Sequence, residues 1–155
     1  MTTIALANLD DAAHQTAIME LLDMYCRDEF GAAQPLSAAA RERLMPGLKK
    51  HGGAQVFLAY DDRRPVGVAI CLLGFSTFRG LPVLNIHDIA VDPDFRGRGI
   101  GRELLATVEA HARDLGCGKV TLEVRSDNAR AMAAYRRAGF QSTQPETFFW
   151  SRLLD

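Results

Sequence analysis

Val91-Asp92-Pro93-Asp94-Phe95-Arg96-Gly97-Arg98-Gly99-Ile100-Gly101 is the stretch on which the reading of this 155-residue chain turns. The β-branched run before it ends as a strand, and Pro93 stops that strand because it has no N–H to donate. The glycines that follow let the backbone curl tightly. The curl ends where a helical period begins: Ile100, Leu104, Val108, His111 and Leu115 fall on one face, and Gly116 closes the helix. A helix N-terminus carries free N–H donors and a partial positive charge. Such a turn therefore suits a phosphate or diphosphate. The Walker pattern needs Gly-Lys-Ser/Thr, but Arg102-Glu103 follows Gly101, which argues against ATP. The glycines at 97, 99 and 101 also miss the G-x-G-x-x-G spacing of dinucleotide binders. The bland alternative is a glycine-rich turn ahead of an ordinary surface helix.

Working outward, Thr3 to Ala7 reads as a first strand. Asp10 or Asp11 can cap a helix to about Arg27, with Ile18, Leu21, Leu22 and Tyr25 as its apolar stripe. Asp28 to Leu36 is a loop. Ser37 can cap a second helix that Pro46-Gly47 weakens or ends. Gln55 to Tyr60 and Val66 to Phe75 form a hairpin around Asp61-Asp62-Arg63-Arg64-Pro65, and Leu84 to Val91 is the next strand. After the long helix, Lys119 to Arg125 alternates as a strand. Asp127 can cap a helix to about Ala138, a strand starts at Gly139-Phe140, and Thr147 to Leu154 closes the chain as another. The expected order is βααβββαβαββ: an α+β fold with a mixed, mostly antiparallel sheet of about seven strands and about four helices, in one domain spanning 1–155.

Composition bounds the function. The sequence is 48% hydrophobic and 24% charged, as in a folded globular chain, and its net charge of −1 gives no global basic field for nucleic acid or an anionic membrane. Arginines nevertheless gather at Arg96 to Arg102 and at Arg125, Arg130, Arg136 and Arg137, enough for a local polyanion site. Cys26, Cys71 and Cys117 are scattered and odd in number, which argues against a disulfide framework or a metal knuckle. No apolar run reaches membrane-spanning length, and the N-terminus has no signal-peptide pattern. The expectation is a cytoplasmic protein without a metal.

The pattern Arg-x-x-Gly-x-Gly after Ile89-Ala90-Val91 and Asp92-Pro93 resembles the acetyl-CoA motif of the GNAT family of N-acetyltransferases. Leu122-Glu123-Val124-Arg125, Asn128, Ala129 to Tyr135 and Gly139-Phe140 extend the likeness over roughly residues 83 to 140. This part is similar to the ribosomal-protein alanine N-acetyltransferase branch. The resemblance implies a sheet splayed between its fourth and fifth strands, with acetyl-CoA as co-substrate. The pantetheine arm would lie in the gap against the backbone of Ile89, Ala90 and Val91. The diphosphate would lie on the N–H groups of Arg96, Gly97, Arg98, Gly99, Ile100 and Gly101, with Asn128 touching the arm or a water. It implies too that Tyr135 is the general acid, and that the N–H of Ile89 donates to the thioester carbonyl.

The chemistry sets its own demands. An alkylammonium with a pKa near ~10.4 must lose a proton before it attacks a thioester. The oxyanion needs donors, and the thiolate needs a proton. Tyr135 follows Asn128 by seven residues, on nearly the same helix face. Against these roles stand a packing tyrosine and a helix-capping asparagine. Glu123 is the leading base, with His87, Asp88 or a water as competitors. A surface glutamate in a strand is its plain alternative. Asp28, Glu29 and Glu146 can attract a cationic acceptor, and Phe75, Phe78, Phe149 and Trp150 can form an apolar wall. Small amines and protein N-termini both stay open as acceptors. A non-catalytic acyl-CoA-binding regulatory module is the competing function. The sequence leaves a homodimer open.

Overall fold

The structure, a computed structural model, describes residues 1–154. Five strands lie side by side in chain order: β1 (Thr2–Leu6), β2 (Ala54–Asp61), β3 (Arg64–Ser76), β4 (Leu81–Val91) and β5 (Lys119–Leu122). β1 to β4 pair antiparallel, each with the next in chain order, and β5 joins β4 parallel after a helical crossover. Helices α1 (Ala12–Arg27) and α2 (Ala38–His51) precede β2, α3 (Ile100–Asp114) makes the crossover, and α4 (Ala129–Arg137) follows β5.

Strand alternation divides the core into two layers. Val56 and Leu58 of β2, with Val68 and Ile70 of β3, pack under Ile18, Leu21 and Leu22 of α1 and Met45 of α2. Phe57 and Ala59 turn the other way, with Ala69 and Cys71, against Ile100, Leu104, Leu105 and Val108 of α3. Tyr135, Ala138 and Phe140 lean on that second layer. Gly67 lies where the sheet and α3 come closest, and a Cβ there would stand 3.2 Å from Leu104 Cδ1.

The helices start where the sequence places their caps, with one exception. Asp11 accepts from the N–H groups of Ala13 and His14, and Ser37 from that of Ala40. α4 is capped by Asn128, not Asp127. The Asn128 oxygen takes the Ala131 N–H, while Asp127 pairs with Arg125 at 2.7 Å. α2 does not end at Pro46-Gly47 but runs on to His51. The proline removes one helical hydrogen bond. Leu44, Met45 and Leu48 pack on the core on either side of it and hold the helix together.

Two expectations fail at the C-terminal end. β5 stops at Leu122, before Arg125, and no strand forms at Gly139-Phe140 or over residues 147–154. The sheet thus has five strands, not about seven, and the order is βααβββαβα. A strand is made by the edge it pairs with, and the β-prone tail finds none in its own chain.

Candidate active site

β4 is longer than its parallel partner. Pairing with β5 runs from Val83↔Lys119 to Ile86↔Leu122 and stops there. Beyond that point β4 continues through Val91 while paired to β3 alone, so an opening begins between the fourth and fifth strands. At the same place β4 carries one residue too many. Ile70 pairs with Asp88 and Cys71 with Ile86, which leaves His87 as a bulge. A bulge switches the alternation of everything after it. Ile86, Ile89 and Val91 therefore face the α3 layer, whereas Ala90 faces α1. His87 is left exposed and Asp88 half-buried.

Side chains from both faces of the sheet meet at this opening. Tyr25 closes the apolar stripe of α1, on one face; Tyr135 stands on α4, on the other. Burial pushes the Tyr135 phenol up to about 12, and the nearby Tyr25 adds to the effect. Burial also raises the Tyr25 phenol, helped by the negative charges of Asp88 and Asp28 and opposed by Arg125. Burial raises the Asp88 carboxyl above the usual carboxylate range, with His87 acting in the opposite sense. Two phenols and one carboxyl are thus partly desolvated, with Tyr25 near enough to feel the charge of Asp88 and to act on Tyr135. The Tyr135 ring is set edge-on to Phe140, with centroids 6.1 Å apart.

The loop between α1 and α2 is tied down at the mouth by two arginines. Arg96 donates to Asp28 Oδ2 at 3.1 Å and to the Val91 carbonyl at 3.1 Å. Arg125 donates to the Glu29 carbonyl at 3.1 Å and lies 5.6 Å from the Phe30 ring centroid. The far end of the loop is held by Asp23, which is 8% exposed. Its carboxylate accepts from the Leu36 N–H and Arg27 and forms an ion pair with Arg41 at 3.1 Å. The Arg27 hydrogen bond and the Leu36 N–H hold the Asp23 carboxyl below its ordinary pKa. A cleft of about 500 Å³ lies between α1, α2 and the Pro93–Arg96 turn, with Glu20, Asp28 and Arg96 on its walls.

The start of α3 supplies the donors. Asp92 accepts from the Asp94 N–H, and Pro93–Phe95 makes one tight 3-10 turn. Gly97 and Gly99 then take φ values of 80° and 87°, left-handed conformations that cost a side-chain-bearing residue about 1–2 kcal/mol. The Arg96 N–H donates to the Pro93 carbonyl, and the next N–H with an acceptor is that of Glu103, to Gly99. The amides of Gly97, Arg98, Gly99, Ile100, Gly101 and Arg102 have no acceptor among the described residues. A Cβ at Gly97 would meet nothing within 4 Å. The cradle fits a diphosphate by donor count and by helix polarity.

Three sequence-predicted residues are engaged differently from expectation. Arg96 has its own N–H and its guanidinium committed within the protein. Val91, whose backbone the resemblance assigns to the cofactor arm, has its carbonyl already accepting from Arg96. Glu123 is exposed and lies past the end of β5, so the burial asked of a base is met at Asp88 instead. Arg98 folds back to the Asp94 carbonyl and lies over Phe95, whose ring also receives Arg64. Among the other acceptor candidates, Phe75, Phe78, Phe149 and Trp150 are all exposed, as is Glu146. The sequence reading missed Tyr25 as a site residue. Its signal was a phenol at the end of an otherwise aliphatic stripe.

Comparison with known proteins narrows what such a site belongs to. The profile described as "Acetyltransferase (GNAT) family" matches residues 17–140. The chain is 33% identical over 111 residues to an aminoglycoside N(6')-acetyltransferase type 1 of Stenotrophomonas maltophilia, covering 70% of this chain and 72% of that one. It is 43% identical over 84 residues to the N-alpha-acetyltransferase RimI of Mycobacterium tuberculosis, covering 53% of this chain and 51% of RimI. Its fold matches that of AAC(6')-Iy, solved with the bisubstrate analog CoA-S-monomethyl-acetylneamine. The TM-score is 0.79 at 20% identity, over 99% of both chains.

Proposed function

We propose that this chain, which belongs to the acetyltransferase (GNAT) family, moves an acetyl group from acetyl-CoA directly to a primary amine in a ternary complex. The observation that carries the reading is the row of acceptor-free amides from Gly97 to Arg102, set beside the opening between β4 and β5. The diphosphate lies on those amides, and the pantetheine arm runs along the unpaired edge of β4 at Ile89 to Val91. That path leads the thioester toward Asp88, Tyr25 and Tyr135.

In this reading Asp88 takes the proton from the ammonium. Its desolvated site makes the carboxylate a stronger base than a free one. The amine nitrogen attacks the thioester carbonyl, and the C–S bond breaks. Tyr135 gives its proton to the departing thiolate; with a pKa of about 12 the phenol is fully protonated at neutral pH. Glu123, at the exposed end of β5, stays the alternative base. Among the described residues Glu20 is the one carboxylate of the cleft wall with no arginine partner, and it favours a cationic acceptor. That suits an amine of the aminoglycoside kind, as in the Stenotrophomonas relative, or a protein N-terminus, as in RimI.

The test is thiol release from acetyl-CoA over a panel of amines, comparing the wild type with Tyr135→Phe. The expected result is turnover with at least one amine and a fall in kcat of about 100-fold or more in the variant. Equal rates would remove Tyr135 from the mechanism. Tight CoA binding with no turnover on any amine would point to a non-catalytic acyl-CoA module.

A further inference from the structure

A cradle made of free amides poses a structural problem. Its donors must stay unbonded until a ligand arrives, so they cannot hold the loop in shape. Between the Arg96 N–H and that of Glu103, no backbone N–H of the loop has an acceptor among the described residues. Gly97 and Gly99, both left-handed, add conformational freedom. The shape must therefore come from side chains.

Those side chains meet at Phe95. Its ring is half-buried and packs against the α3 layer. The guanidinium carbon of Arg98 lies 4.7 Å from the ring centroid, and that of Arg64 lies 4.8 Å from it. Both distances suit a cation held by an aromatic face. Arg98 belongs to the loop itself and also donates to the Asp94 carbonyl. It lies 4.0 Å from Asp61, the last residue of β2. Arg64 opens β3 and pairs with Asp92 at 2.8 Å. Asp92 donates its N–H to the Val66 carbonyl and accepts from the Asp94 N–H. One ring thus ties the glycine loop to the 3-10 turn and to the β2–β3 turn. No other aromatic ring among the described residues carries two guanidinium groups.

We infer, on the reading of this loop as the coenzyme A site, that Phe95 is a positioning residue for the cofactor. By holding Arg64 and Arg98 on its ring, it presets the amides of residues 97–102 for the diphosphate. A preset loop binds without an ordering cost, and a loosened one binds more weakly. In that reading the thioester lies at the far end of the pantetheine arm. The ring therefore sets affinity for the cofactor and leaves the chemical step alone.

The test is calorimetry of the full chain with CoA, which needs no acceptor amine. Phe95→Leu keeps the apolar packing and loses the π face. Its Kd for CoA is expected to rise about 5-fold or more, with unchanged circular dichroism. Phe95→Tyr keeps the π face and is expected to bind within about 2-fold of the wild type. Arg64→Met removes one cation without touching the core, and is expected to weaken binding about 2-fold or more. NMR order parameters of Gly97 and Gly99, measured without ligand, are expected to fall in Phe95→Leu and to hold in Phe95→Tyr. Wild-type affinity in both Phe95→Leu and Arg64→Met overturns the inference, as does a Phe95→Tyr variant no better than Phe95→Leu. Weaker binding with an unchanged free loop overturns it too, since the ring would then touch CoA directly. A wild type with no affinity for CoA would remove the reading of the loop as its site, and this role of Phe95 with it.

Discussion

Asp88 owes its position to a single inserted residue. Without the bulge at His87, the alternation that puts Ala90 under α1 would not set Asp88 beside Tyr25. Its environment makes a paired prediction for Asp88→Asn. Activity falls, by about 100-fold or more if the residue is the base, and the acid limb of the kcat/KM profile disappears with it. Stability moves the other way. A carboxyl whose folded pKa is raised costs folding free energy above its ordinary pKa, and that cost grows until the pH passes the raised value. The neutral amide removes the cost, so Tm at pH 7 rises in Asp88→Asn. A scan that shows a lower Tm, with activity intact, would contradict both halves. The residues alone offered Asp88 only as a competing base and did not show its position. His87 and Asp88 read as neighbours on opposite strand faces, and the bulge that decides between them depends on Cys71 and Ile70 across the ladder. Tyr25 was hidden for a similar reason, because its spacing on α1 is that of a core residue.

At the scale of elements, the start of α4 separates a cap from a ligand. Asn128 Oδ1 accepts the Ala131 N–H at 3.1 Å, which is the work of an N-cap. Asn128→Ala is expected to lower stability by about 1 kcal/mol, and Asn128→Ser or Asn128→Asp to recover most of it. If capping is the whole role, the KM for acetyl-CoA stays the same in the capped variants. A raised KM in Asn128→Ser would return the residue to the cofactor. α3 behaves differently, since Gly99 at its N-cap makes no side-chain cap bond and leaves the donors bare. The glycine loop and the period of α3 were both legible in the sequence because they rest on local spacing. α2 was misjudged at Pro46 because the packing of Leu44, Met45 and Leu48 outweighs one lost hydrogen bond. The two C-terminal strands were expected from β-propensity alone, and propensity says nothing about whether an edge is within reach.

The molecule as a whole is a sheet with a helical layer on each face. The loop between α1 and α2 is held by carboxylates whose pKa values are lowered, chiefly by an Arg27 hydrogen bond at Asp23 and by the Phe30 N–H at Asp28. The stabilisation they give is complete above the ordinary carboxylate pKa and is lost as pH falls through their lower folded values. Thermal scans should therefore show Tm dropping only below about pH 4, with the loop at 28–36 the first segment to lose hydrogen-exchange protection. A Tm that falls steadily from pH 7 would place the pH-sensitive contacts elsewhere. All of the chemistry proposed for the site depends on where coenzyme A binds. The most direct measurement is an amide-resolved NMR titration of the full chain with CoA. The amides of Gly97, Gly99, Ile100 and Gly101 are predicted to shift most, with Ile89 and Val91 following along β4. Saturable binding that leaves the start of α3 unmoved, or no binding at all, would contradict the account.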